Sequence, residues 1–137
     1  MNRQMVELTK TFVLECEELD KDHKRLVEMV NDITADIDKG QTNDCNSKVQ
    51  DFVNFAKGHF SREEQLLKKN GYPDVAKHHK HHQTLITKME HIQEFAASAA
   101  TNQLACDSLK SELVFLLMDD LITTDMDFKG YIGDGKA

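Results

Sequence analysis

Tryptophan is absent from the 137 residues, proline occurs once and glycine six times. A chain so poor in helix breakers and turn formers leaves long stretches free to continue as helix. No stretch approaches the roughly 18 to 20 apolar residues that a membrane-spanning helix needs. Residues 1–19 carry acids throughout instead of a basic start followed by an apolar run, so no export signal is read there and the expected location is the cytoplasm. Long Lys/Arg runs are missing too, and the formal charge is -7 with a pI near 5.4. That balance argues against nucleic acid or an anionic membrane surface as a partner, because nothing offsets phosphate repulsion. The three cysteines, Cys16, Cys45 and Cys106, are widely spaced and form no CxxC pair. Neither a disulfide framework nor a thiolate zinc site is indicated.

What the chain does have is apolar residues at helical spacing. Period-2 alternation is scarce, and the 3.6-residue repeat predicts helices over about 17–38, 43–70, 73–99 and 101–127, with an arm at 1–16 and a tail at 128–137. Lys39-Gly40 and Asn70-Gly71 read as helix stops, and Pro73 as the start of the third helix. In the arm, Phe12, Val13 and Leu14 form an apolar patch that needs a surface to cover. The expected architecture is a single all-α domain, an up-down-up-down four-helix bundle with an N-terminal arm laid across it.

Seven histidines is an unusual number, and four of them fall within residues 78–82. Each of the four apolar stripes is interrupted by a potential metal ligand. The first helix carries His23 between Leu19 and Leu26. The second carries His59 and Glu63, one turn apart and therefore on one side. The third carries His78 and His82, the one i,i+4 pair within the cluster, in line with Val75, Ile86 and Met89. His79, His81 and His91 fall off that line and read as surface residues. The fourth offers Asp120 and Asp125, which diverge by about 140° and so approach a central site from different sides.

Taken singly, each has an ordinary explanation: His23 as a satisfied core histidine, His59 and Glu63 as a surface pair, the 78–82 run as a solvated patch, the two aspartates as helix acids. Their coincidence with four independently drawn stripes is what carries the argument. Buried imidazoles and carboxylates cost several kcal/mol unless paired or coordinated. Four imidazoles and three carboxylates are too many for one tetrahedral zinc and suit a two-metal centre, with mixed nitrogen and oxygen donors favouring iron or manganese.

In these residues the sequence resembles the hemerythrins, in particular the bacterial hemerythrin-like proteins, over about residues 19–132. The resemblance is carried by Leu19-Asp20-Lys21-Asp22-His23, by His59-Phe60-Ser61-Arg62-Glu63-Glu64, by Gly71-Tyr72-Pro73 leading to His78 and His82, and by 113–125 followed by Phe128 and Tyr131-Ile132. It implies two non-haem iron ions with a bridging oxo or hydroxo group. His23 and His59 would bind one ion, His78 and His82 the other, and Glu63 and Asp125 would bridge them. The family normally has a fifth histidine where this chain has Asp120, and an aromatic residue where it has Leu116. The extra carboxylate favours the ferric state, giving a site that oxidises readily. Leu26, Phe60, Leu116, Leu117 and Leu121 are the expected lining of an apolar ligand pocket.

The implied ligand is dioxygen, or another small diatomic or peroxide ligand, bound for carriage, storage or sensing. A second expectation is a di-iron oxidase or peroxidase-like enzyme, including ferroxidase or nitric-oxide chemistry, favoured by Asp120. A third is a sensory domain acting through a redox or signalling partner.

Overall fold

The computed structural model describes residues 17–98 and 102–118. They form four helices: α1 (Glu17–Asp38), α2 (Cys45–Lys69), α3 (Val75–Ser98) and α4 (Gln103–Phe115), and the chain widens into a π-helical turn at 116–118. The expected arm with Phe12, Val13, Leu14 and Cys16, the end of the fourth helix with Asp120, Leu121 and Asp125, and the tail at 128–137 lie outside the described residues.

The helix ends follow from local chemistry. Three acids, Glu17, Glu18 and Asp20, occupy the first turn of α1, where the helix dipole favours negative charge. At its other end Gly40 takes φ 75°; its N–H donates to Ile37 O and that of Gln41 to Asp36 O, at 3.0 and 2.8 Å. This is a Schellman cap, which needs a left-handed residue at that position. Gly71, at φ 73°, repeats the device, with Tyr72 N–H donating to Leu67 O at 3.0 Å. The ring of Tyr72 then packs with Leu67. Asn102 caps α4 by accepting from Ala105 N–H at 3.2 Å.

Three helices begin about two residues later than the spacing predicts, α4 among them, at Gln103 after its Asn102 cap. Helix α2 starts at Cys45, after Asp44, whose carbonyl accepts the N–H of Lys48 at 2.9 Å. Helix α3 starts at Val75 instead of Pro73: Pro73 and Asp74 are spent on the turn out of the Gly71 cap, and the carbonyl of Asp74 accepts from His78 N–H at 3.0 Å.

Cross-helix contacts fix the topology. Asp22 of α1 meets His59 of α2, while Asp36 meets Lys48. Glu63 meets His78 of α3, while Gln50 meets Gln93. Asp38, at the end of α1, meets Lys110 of α4. From α1 to α2 and from α2 to α3 one residue number rises as the other falls, so these neighbours are antiparallel; α4 packs on α3 and α1 and closes the four-helix bundle, each helix packing chiefly on its two neighbours around the ring.

The stripes converge on one continuous core that includes Leu26, Val30, Ile33, Phe52, Ala56, Leu85, Met89, Ile92, Leu109, Leu113 and Leu117. A smaller cluster, Leu19 and Leu67 backed by Leu66, Tyr72 and Val75, lies nearer the outer end of α1 and α2. Between the two sits a polar layer: His23 follows Leu19 by one turn, and Glu63 precedes Leu67 by one turn. The site is buried because apolar residues close it above and below. Among the described residues no helix is long and apolar enough to cross a membrane.

Candidate metal centre

The polar layer comprises His23 from α1, His59 and Glu63 from α2, and His78 and His82 from α3, all buried. One-turn spacing on α2 and on α3 aims each pair across the same gap. Glu63 is fully buried at its centre. Its Oε1 lies 2.5 Å from Nε2 of His78 and 2.9 Å from Nε2 of His82, and its Oε2 lies 3.0 Å from Nε2 of His59. The rings of His23 and His59 are 5.1 Å apart, and those of His78 and His82 are 4.3 Å apart and nearly edge-on. Two groups of donors result, His23-His59-Glu63 and Glu63-His78-His82, each with its ligand atoms within 4.8 Å of one another. Glu63 belongs to both and turns one oxygen toward the imidazole of each α-helical partner group.

Five of the seven residues singled out as ligands are thus brought together; Asp120 and Asp125 lie outside the described residues. The described part of α4 runs beside the far half of the bundle, near Asp38 and Ile92. Among the histidines set aside as off-stripe, His79 and His91 are exposed and His81 is half-buried. Of the residues expected to line a pocket, Leu26, Phe60, Leu116 and Leu117 are buried in the main core, and Leu121 lies outside the described residues. Phe60 touches the layer directly, its ring stacked on that of His82 and tilted against that of His59.

Two further acids escaped the sequence reading. Asp22 Oδ2 lies 3.0 Å from Nδ1 of His59 and accepts from Nε of Arg62 at 2.9 Å. Glu64 Oε2 lies 2.7 Å from Nδ1 of His82, and its Oε1 lies 2.5 Å from Nδ1 of His79. Burial pushes both carboxyls up, but hydrogen bonds and charge from their partners outweigh it and hold each below its ordinary value: His59 and Arg62 for Asp22, His82 and His79 for Glu64. The signal was adjacency. An acid next to a ligand on a helix is turned about 100° from it, toward the flank where the neighbouring helix presents its own imidazole.

The donor chemistry fits a transition-metal ion. A carboxylate with no exposure, ringed by imidazole nitrogens, is costly unless positive charge compensates it. Imidazole and carboxylate donors suit iron, manganese or zinc. Fold and site together define a four-helix bundle with a cation-binding interior. Comparison with known families agrees: the Hemerythrin HHE cation binding domain matches residues 16–123, and the chain belongs to the hemerythrin family. A curated relative is the Bacteriohemerythrin of Stenotrophomonas maltophilia (strain R551-3), 28% identical over 71 residues. That match covers 52% of this chain and 46% of the relative, about half the length of each.

Proposed function

We propose that the chain binds dioxygen at a pair of non-haem iron ions, for oxygen carriage, local storage or sensing. The observation that carries this reading is the membership of Glu63 in both donor groups, which suits one carboxylate bridging two ions. His23 and His59 would hold one ion and His78 and His82 the other. Asp125 and Asp120 would supply further oxygen donors, and an oxo or hydroxo group would complete the centre. Iron bound there would supply the redox chemistry that a small diatomic ligand needs.

The remaining work falls to the chain itself. Glu63 compensates cationic charge in a site closed to bulk water. Phe60 fixes the plane of His82 by stacking. Leu26, three residues after His23, and Phe60, in contact with His59 and His82, keep the immediate surroundings apolar. The test is iron quantification on protein purified without added metal, with optical spectra before and after anaerobic reduction and oxygen exposure. Two irons per chain and an oxygen-dependent charge-transfer band support the proposal; a colourless protein with no iron sinks it.

A second reading rests on Asp120, which occupies the position where the family has a fifth histidine. An added carboxylate stabilises the ferric state and favours an oxidase or peroxidase-like enzyme over a reversible carrier. Multiple-turnover consumption of oxygen or peroxide with a defined reductant selects the enzyme, and a stable oxygen adduct selects the carrier.

A further inference from the structure

A metal ion takes the lone pair of one imidazole nitrogen, and the other nitrogen then carries the proton and donates it to an ionised carboxylate within hydrogen-bond distance. Asp22 and Glu64 each contact Nδ1 of an imidazole whose Nε2 faces Glu63, at 3.0 Å for His59 and 2.9 Å for His82. One such acid serves each donor group: Asp22 the group of His23 and His59, Glu64 the group of His78 and His82. Neither is in a donor group itself.

We infer that Asp22 and Glu64 are paired positioning residues, each holding one imidazole as the Nδ1–H tautomer so that its Nε2 is the ligating atom, and each governing a different ion of the pair. The inference rests on the two-ion reading above. The two arms are built differently. Asp22 is backed by Arg62, whose permanently charged guanidinium lies 5.5 Å over the ring of Phe55. Glu64 is backed by His79, whose side chain is 53% exposed. Glu64 and His79 also line a surface hollow of about 660 Å³ with Ser61, Gln65, Lys68 and Lys80. The His82 arm therefore reaches solvent through one carboxylate, while the His59 arm ends on a guanidinium.

The test begins with the protein loaded with diamagnetic Zn(II), in which long-range ¹⁵N–¹H correlation of the imidazole rings reports which nitrogen of His59 and of His82 keeps its proton; in the metal-free protein both nitrogens of each ring face a carboxylate. Titration with Co(II), whose visible bands follow donor geometry, then gives stoichiometry and affinity for the wild type and for Asp22→Leu, Asp22→Asn, Glu64→Leu and Glu64→Gln. The expected result is Nδ1–H at both rings. Each leucine variant weakens one of the two Co(II) ions by about 10- to 100-fold and spares the other, as loss of an outer hydrogen-bond partner does. The amide variants recover part of that loss, because an amide oxygen still accepts from Nδ1–H. Merely structural acids would lower the melting temperature of the metal-free protein and leave Co(II) affinity unchanged.

Wild-type protein that binds fewer than two Co(II) ions overturns the two-ion reading and this inference with it. Two tight ions in wild type, together with Nε2–H at either ring or with undiminished affinity in the folded variants, overturn this inference alone. If a leucine variant does not fold, the tautomers and the amide variants decide by the same criteria.

Discussion

The ring of Phe60 lies nearly parallel to the imidazole of His82, with centroids 4.1 Å apart and planes 14° from coincidence. The two residues come from different helices, so the stack ties the orientation of a candidate ligand to the packing of α2 on α3. Phe60→Leu keeps an apolar side chain of related volume but removes the flat face. The expected stability loss is on the order of 1 kcal/mol, against about 3–5 kcal/mol for Phe60→Ala, both read by urea unfolding of the metal-free protein. The leucine variant is also expected to bind Co(II) more weakly. Unchanged affinity would mean that the stack is packing and nothing more.

The apolar stripes made the bundle legible, because a residue such as Phe52, Met89 or Leu113 can be buried at helical spacing in one way only. The five candidate ligands His23, His59, Glu63, His78 and His82 were legible as a buried cluster for the same reason, as polar residues standing where the stripe demanded apolar ones. Asp22 and Glu64 were not. They sit at the edge of the buried face, where an acid is ordinarily solvated, and their roles depend on which imidazole the next helix presents. Helix starts were legible to about two residues. Pro73 fits a helix start and equally fits the turn before one, and the choice was made by the geometry of the Gly71 cap.

Glu63 is fully buried and contacts three imidazoles, so an ion held against it would couple metal binding to folding. A ligand at 100 times its dissociation constant stabilises the folded state by about 2.7 kcal/mol. Saturating ferrous ion or Co(II) is expected to raise the melting temperature of the wild type, and a chelator to reverse the rise. Glu63→Gln removes the compensating charge while keeping the shape, and is expected to lose most of that metal-dependent gain. A glutamine variant that gains as much as wild type would remove Glu63 from the centre.

The glycines separate conformational strain from crowding. At Gly40 and Gly71 an added Cβ meets nothing within 4 Å, yet φ is 75° and 73°. Alanine at either position therefore costs about 1–2 kcal/mol from the left-handed backbone alone. Gly58 lies inside α2, where the new Cβ would come within 3.2 Å of Nη1 of Arg62, the far end of a flexible side chain. Gly58→Ala is expected to stabilise by about 0.5–1 kcal/mol through helix propensity, with the guanidinium moving slightly. Thermal melts of the three variants check the opposite signs; destabilisation by Gly58→Ala would show that Arg62 cannot shift.

Lys48 clamps the start of α2 to the end of α1, hydrogen-bonding to Asp36 and lying 3.0 Å from Asp32. The bond to Asp36, then that to Asp32, holds its ammonium well above the ordinary value of 10.5. A cation whose pKa is raised by folding contributes its full stabilisation below that ordinary value and loses it as pH climbs through the raised one. The Lys48 side chain is 32% exposed and that of Asp32 61%, so solvent screening limits the pair to about 1 kcal/mol or less. Lys48→Met is therefore expected to be less stable than wild type by a small, constant amount between about pH 7 and pH 10, with the gap closing at more alkaline pH. High salt is expected to narrow the gap at neutral pH, because the partly exposed charges are screened. Urea midpoints of both proteins from neutral pH to above the ordinary lysine value of 10.5, in low and high salt, give the comparison. A gap that neither alkali nor salt diminishes would assign the role of Lys48 to its aliphatic stem rather than its charge.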